Sequence, residues 1–419
     1  METIMNAIQL MEEGKTSEAL SFLETASKKA NADEKFTIAE LYMEWGYVQK
    51  AEEILLKLQK DFPKESDITL LLADIYIELE NDDQAIHLLG TIEESDDAYI
   101  QALVQLADLY QAQGLFEVAE QKLLTAKQME PNEPLLDFAL GELLFFAGDY
   151  KKAIIYYKKI LPTDYMASIS INERLGEAYA EIGEYEEALH FFKEVDNESP
   201  DMLFKYGLTA YQAERPDIAI KCWEQLLKAD PDYHAAYFHL GTVYMDEGML
   251  DKAYETAIKG LEMDEFNKTL YYFASVVSHK LHHHDESERY IRQAISLDPD
   301  YKEAILFLIE RLKENDDHTG IVNLITDLKN TDGYDGLYEW ELAKAYKELE
   351  EYKRALTHYK EAYLTLYDDS DFLKDYGYFL TEEGHLEDAI HIFKTYMKKQ
   401  PEDTEIEEFL ARLNETNDH

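Results

Sequence analysis

The sequence predicts an all-α solenoid of helical hairpins, and two observations carry that prediction. A column of mostly alanine recurs every 34 residues, as Ala85, Ala119 and Ala153 and again as Ala219, Ala253, Ser287, Ile321, Ala355 and Ala389. Within each period, two apolar-periodic stretches of about a dozen residues flank a short turn. A fixed period of roughly 20 to 50 residues marks a repeat array in which each unit packs only on its neighbours. Two amphipathic stretches joined by a short turn make a helical hairpin.

The fourth unit shows the elements in order. Its helix A carries Leu103, Leu106, Ala107 and Tyr110, Gly114 makes the turn, helix B carries Ala119, Leu123 and Ala126, and Pro131 ends the unit. Twelve positions before the column stands a second small residue: Ala39, Ala73, Ala107, Gly141, Gly176, Gly207, Gly241, Ala343 and Gly377. Helices approach to about 8 Å only where neither offers a bulky side chain, so these two columns are the predicted crossing of helices A and B. Three residues beyond the second column come Tyr42, Tyr76, Tyr110, Tyr179, Tyr244 and Tyr346, placed to fill the gap toward the next hairpin. Near the end, Thr404–Leu413 reads as one further helix with Ile406, Phe409, Leu410 and Leu413 on one face, suited to cap the last repeat. The tail Asn414–His419 is polar and is expected to lack fixed structure.

Repeat six carries Gly176, Tyr179, Gly183, Ala188, Phe192 and Pro200, and repeat twelve carries Gly377, Gly384, Ala389, Phe393 and Pro401. These residues resemble the tetratricopeptide repeat (TPR) family, and the likeness covers nearly the whole chain. The resemblance implies a right-handed superhelix of about twelve helix-turn-helix repeats with a C-terminal capping helix. It also implies that helix A lines the concave groove, with positions 2, 5, 9 and 12 of each repeat pointing into it. The general plan resembles acidic, all-repeat cytoplasmic proteins of low-GC Gram-positive bacteria.

Departures from the period suggest a division. Ala153 to Ala188 spans 35 residues and Ala188 to Ala219 only 31, while Pro200 to Gly207 is seven residues against ten for Pro131 to Gly141. About three residues therefore look missing from the start of helix A in repeat seven. A seam is expected near Pro200 and Asp201, giving a first sub-array over 1–200 (repeats one to six), a second over 201–403 (repeats seven to twelve) and a cap with tail over 404–419. In repeats nine and ten, Ser275, Ser287, Ile309 and Ile321 replace the small residues, through relaxed packing or through a hinge or specialised surface.

Lys+Arg 40 against Asp+Glu 88 leaves a formal net charge of −48. Such a chain repels nucleic acid phosphate and anionic lipid and favours basic or amphipathic polypeptide. No stretch approaches the ~20 apolar residues that span a bilayer, and Met1–Gly14 is acidic, without the features of a secretory leader. The single Cys222, beside Trp223 in a predicted helix, fits a buried small hydrophobe in a reducing cytoplasm. No phosphate-cradling loop, paired-cysteine metal motif or nucleophile elbow is present. His282, His283, His284 and Asp285 fall in a predicted turn, where ligands fixed from separate elements are lacking. The expectation is a protein without enzymatic activity, metal or cofactor.

Candidate binding residues follow from the implied groove positions. Position 9 reads Glu40, Asp74, Asp108, Glu142 and Glu177 in repeats two to six, an acid ladder. Beside it, position 5 offers Phe36, Leu70, Val104 and Phe138, and position 12 offers Met43, Ile77, Gln111 and Phe145. Two roles are open to this face: a groove for an amphipathic ligand with basic and apolar residues, or a solvated face whose apolar side chains cover one another. Beyond the seam come Phe204, Phe238 and Tyr272 at position 5, with Tyr211, Met245 and His279 at position 12. That aromatic surface suits a partner helix or a second copy of the chain, or it packs only between neighbouring helices. TPR members that grip an acidic C-terminus use basic and amide groups at the groove positions, where this chain has Asp33, Glu40, Asp67, Asp74 and Asp108. The expected function is a protein-interaction scaffold or adaptor for a basic or amphipathic segment. The alternative is a peptide-sensing receptor that controls a partner protein.

Overall fold

Each hairpin closes on a residue held in the left-handed region, seven residues after the small residue of helix A. Glycine fills it at positions such as Gly14, Gly46 and Gly114, with φ of 76°, 77° and 74°. In five repeats the same place falls to Glu80, Glu214, His282, Asp316 and Glu350, with φ between 53° and 62°. The left-handed residue lets the next N–H reach back to the helix, as Lys15 N donates to Leu10 O at 2.8 Å and Leu115 N to Tyr110 O at 2.8 Å. Orphan carbonyls at the end of helix A are satisfied this way, and helix B starts within two residues.

The structure is a computed structural model that describes residues 2–161, 170–195, 199–329 and 335–417, and these contain twenty-five helices and no strand. The chain forms two compact units, Met1–Ala213 and Glu214–His419. The first unit contains α1 (Glu2–Glu12) and α2 (Thr16–Ser27), α3 (Ala32–Glu44) and α4 (Val48–Asp61), α5 (Ser66–Glu78) and α6 (Asp82–Leu89). It continues with α7 (Tyr99–Ala112) and α8 (Phe116–Met129), α9 (Pro134–Phe146) and α10 (Tyr150–Ile160), α11 (Ile171–Glu181) and α12 (Tyr185–Lys193), and α13 (Pro200–Gln212). The second unit opens with α14 (Pro216–Ala229), then α15 (His234–Asp246) and α16 (Leu250–Met263), α17 (Lys268–Lys280) and α18 (His284–Leu297). After them come α19 (Lys302–Glu314) and α20 (His318–Leu328), α21 (Gly336–Glu348) and α22 (Tyr352–Leu366), α23 (Ser370–Glu382) and α24 (Leu386–Lys399), and the single α25 (Thr404–Asn417). Odd-numbered helices up to α23 are the A helices of successive repeats.

The alanine column is buried in every repeat, with Ala19, Ala51, Ala85, Ala119, Ala153, Ala188, Ala219, Ala253, Ala355 and Ala389 all fully covered. The small residue of helix A has a more specific partner than the column itself: the side chain four residues beyond it on helix B. A Cβ on Gly141 would lie 2.6 Å from the Tyr157 ring, one on Gly176 2.9 Å from Phe192 and one on Gly377 2.7 Å from Phe393. In repeats two to four, helix A has Ala39, Ala73 or Ala107 and the corresponding helix B residue is the smaller Leu55, Leu89 or Leu123. In these repeats and in five, six and twelve a larger residue on helix B goes with a smaller one on helix A, as close packing favours, whereas Gly241 is filled by Phe273 of the next A helix and Ala343 stands with Tyr359.

Repeats nine and ten solve the crossing differently. Ser275 Oγ donates to the Ser287 carbonyl at 2.7 Å and lies 3.1 Å from Ser287 Oγ, so two buried hydroxyls satisfy each other. Ile309 and Ile321 are both buried at the crossing of α19 and α20.

Two expectations change. Helix A of repeat seven is whole: Ser199 Oγ accepts from Met202 N at 3.1 Å, Pro200 occupies the first turn, and α13 is 13 residues long. Proline is preorganised for that place, because the N–H it lacks would have no helical partner there. The shortfall lies earlier, since α12 has 9 residues where α8, α14 and α16 have 14. The division into compact units falls after Ala213, in the turn between α13 and α14. The last helix also runs past Leu413 to Asn417, and the rest of the polar tail, 418–419, lies outside the described residues. Ile406 and Leu413 of α25 are buried in the cluster that holds Phe393 and Tyr396. Asp403 ties the cap down by accepting from Lys374 Nζ at 2.8 Å, Tyr396 Oη at 2.7 Å and Ile406 N at 3.2 Å. Those bonds, Lys374 foremost, hold its pKa down at about 2.

Candidate functional site: the A-helix face

Neighbouring A helices touch directly, as α3 does α5 and α11 does α13. Position 9 of one repeat therefore faces position 6 of the next, and the residue there decides what becomes of each acid. Gln105 Nε2 donates to Asp74 Oδ1 at 2.7 Å. Arg174 Nε lies 2.9 Å from Glu142 Oε1, and Arg174 Nη1 donates to Glu177 Oε2 at 3.0 Å. Lys205 bonds the other oxygen of Glu177. Tyr157 Oη, on a fully buried side chain, donates to Glu142 at 2.6 Å, and burial first and this bond second raise its pKa far above the ordinary tyrosine value.

The acid ladder thus has two halves. Glu142 and Glu177 are locked into a network running Tyr157, Glu142, Arg174, Glu177, Lys205, which answers their charge from within the chain. Glu40, Asp74 and Asp108 pair with no cation among the described residues. The residues at the equivalent position 6 of the repeats after Glu40 and Asp108 are the apolar Leu71 and Ala139. Desolvation by the crowded helices raises the pKa of Asp74 and of Asp108.

The apolar candidates divide as well. Phe36, Met43, Phe138 and Phe145 are half-buried, and Ile77 is exposed. Leu70 is not a groove residue: it is 6% exposed and belongs to the core with Ala73, Ala85 and Leu106, because α6 and α7 close over it. Phe145 meets Tyr150 edge-on at 5.2 Å and carries the Arg174 guanidinium 5.7 Å from its ring centroid. On α13, Phe204 is half-buried and Tyr211 is 39% exposed.

In the second unit the aromatic surface is built as a lateral stack. Phe238 packs edge-on against Phe273 at 5.6 Å, and Tyr272 contacts Tyr301 at 5.5 Å and Phe307 at 6.0 Å, while Met245 is half-buried. Further along, Trp340 Nε1 donates to Asp375 at 2.6 Å and the buried Tyr359 Oη donates to the same oxygen at 2.7 Å. Around the three-histidine turn, His282 is the left-handed residue and His279 lies against Arg311. Among the described residues no group of His, Cys, Asp and Glu side chains is arranged to hold a metal ion. No described helix is long and apolar enough to cross a membrane.

Gln105, Arg174 and Lys205 are the partners of the position-9 acids that groove positions 2, 5, 9 and 12 passed over. Their signal in the sequence is a polar or basic residue at position 6 one repeat after an acid at position 9.

Among the described residues, twelve left-handed hairpin turns, buried small columns and A helices meshed by cross-repeat bonds define a tetratricopeptide-repeat protein, a class of protein-interaction scaffold. The chain belongs to the YpiA-like tetratricopeptide repeat family. The family of YpiA-like tetratricopeptide repeats matches residues 111–165 and that of YpiA-like C-terminal tetratricopeptide repeats matches 337–403. Other tetratricopeptide repeat families match 204–264, 169–202 and 269–301. The chain is 37% identical over 415 residues to the TPR repeat-containing protein YpiA of Bacillus subtilis, covering 98% of each protein. It is 22% identical to the TPR repeat-containing protein MJ1428 of Methanocaldococcus jannaschii, over 66% of this chain and 46% of that protein. Among solved structures it is similar to the C-terminal part of a TPR repeat-containing protein from Cytophaga hutchinsonii, at 15% identity and a TM-score of 0.49, covering 56% of this chain and 97% of that one. It is also similar to YrrB, a TPR protein with an unusual peptide-binding site, at 21% identity and a TM-score of 0.38, covering 43% of this chain and 95% of that one.

Proposed function

We propose that this protein is a cytoplasmic, non-catalytic adaptor whose A-helix face in repeats two to four holds a basic, amphipathic polypeptide segment. One observation carries it: Glu40, Asp74 and Asp108 repeat on three successive A helices without a cation among the described residues, whereas the acids one and two repeats later are neutralised internally. A ligand ammonium or guanidinium supplies at repeats two to four what Arg174 and Lys205 supply at repeats five to seven. Phe36, Met43 and Ile77 lie on the same helices as the unanswered acids and offer apolar contact to the stem of a lysine or to a neighbouring apolar residue.

The test is fluorescence anisotropy with a labelled basic amphipathic peptide against the full chain. Affinity falls steeply with salt, because exposed charges are screened beyond about 10 Å at ordinary ionic strength. Glu40→Lys, Asp74→Lys and Asp108→Lys together weaken binding by about tenfold or more. Since burial raises the pKa of Asp74 and Asp108, binding weakens on acidification before ordinary surface carboxylates titrate. Unchanged affinity in the triple variant removes the groove acids from the function.

A further inference from the structure

We propose that a cleft between α11 and α13 in the first unit is the anchor pocket of the same ligand and receives an aromatic side chain, so that the ligand is bipartite. This extends the groove function proposed above and rests on it. The cleft measures about 550 Å³, within the usual range of roughly 300–1,000 Å³ for binding pockets. Its walls include Phe145, Phe192 and Leu208, and it opens where position 9 changes from Glu177 to Leu208, from acid to apolar.

Charge decides which occupant fits. Arg174 and Lys205 stand in the cleft, but Glu142 and Glu177 already answer them, so an acidic group gains little there. The one charge at the rim that no cation among the described residues answers is the exposed carboxylate of Glu181. Apolar walls of Phe145 and Leu208 over the buried Phe192, with Tyr185, Thr209 and Gln212 beside them and a single unanswered acid at the edge, suit an aromatic residue with a cation next to it, the composition of an interface anchor. The network from Tyr157 to Lys205 holds the walls before any ligand arrives, which lowers the ordering cost of binding.

Spacing follows from the repeat. Packed helices lie about 8–10 Å apart and an extended chain advances about 3.3 Å per residue, so one repeat spans about three ligand residues. Cations reaching Glu40, Asp74 and Asp108 are then three apart, and the aromatic anchor stands about six to eight residues beyond the last of them.

The probes are two labelled synthetic peptides, one with lysine at every third position and tryptophan about seven residues beyond the last lysine, the other with alanine for tryptophan. Against the full chain, the alanine peptide is expected to bind about tenfold more weakly or worse. Leu208→Glu should weaken the tryptophan peptide similarly and leave the alanine peptide within about twofold, a coupling that general unfolding does not produce. A third peptide with benzoylphenylalanine at the anchor place, irradiated on the unaltered protein, should crosslink to the residues that line the cleft on α9, α11, α12 or α13, which keeps the test independent of how Leu208→Glu folds. Crosslinks elsewhere, or an alanine peptide within about twofold of the tryptophan peptide while Glu40→Lys, Asp74→Lys and Asp108→Lys still abolish binding, overturn the anchor pocket and leave the groove standing. Binding indifferent to that charge reversal, or absent for every peptide, overturns the groove and the pocket together.

Discussion

Gly176 and Phe192 form a pair whose exchange is calculable. An alanine Cβ at 176 would stand 2.9 Å from two ring carbons of Phe192 and 3.0 Å from a third, closer than real contacts allow. Phe192 cannot swing aside freely, being 2% exposed and stacked on Tyr206 at 5.7 Å. Overpacking of this kind costs about 1–3 kcal/mol, offset by about 1 kcal/mol from the better helix propensity of alanine, so Gly176→Ala should destabilise by up to about 2 kcal/mol. Phe192→Leu alone leaves a void and should cost about 1–2 kcal/mol. Together they recreate the alanine and leucine pairing of repeats two to four, and the double variant should be less destabilised than the sum by about 1 kcal/mol. Urea unfolding monitored by hydrogen exchange of α11 and α12 is the assay, because a long array need not unfold in one step. Additivity within about 0.3 kcal/mol, or a stabilising Gly176→Ala, refutes the volume-pairing account of the helix crossing.

Glu80→Gly and Glu350→Gly replace left-handed glutamates with φ of 53° and 58°, and each should stabilise by about 0.5–1 kcal/mol in thermal unfolding, since the strain of a Cβ in that region outweighs the added freedom of the unfolded glycine. Glu142→Lys should destabilise the first unit by about 1–3 kcal/mol by stripping Tyr157 and Arg174 of their acceptor, whereas the exposed Glu40→Lys should stay within about 0.5 kcal/mol in the same urea titration. Asp403 has a depressed pKa of about 2, so its contribution is complete above the ordinary carboxylate range near pH 4 and is lost as pH falls through about 2. Hydrogen exchange in α25 should accelerate in that window, and Asp403→Asn should show the acceleration already at neutral pH.

The A-helix face shows how far position alone carries. Repeat position 9 names Glu40, Asp74, Asp108, Glu142 and Glu177 as equivalent, yet among the described residues three have no cation and two are locked by one, because the partner comes from a helix about thirty residues away in sequence. Leu70 looks equivalent to Phe36 and Phe138, but the short α6 lets α7 close over it. The shortening near Pro200 is visible as a count, but only the capped α13 shows that α12 is the helix that gave up residues.

What the sequence by itself determined is everything set by local chemistry and period: twelve hairpins, the turn places, the buried columns and the C-terminal cap, because each is specified within one repeat or between nearest neighbours. Tertiary structure alone decided which charges cancel and where a cleft opens. Those properties depend on the side chain that the next A helix brings within about 3 Å of a carboxylate, and that distance is set by how neighbouring repeats pack.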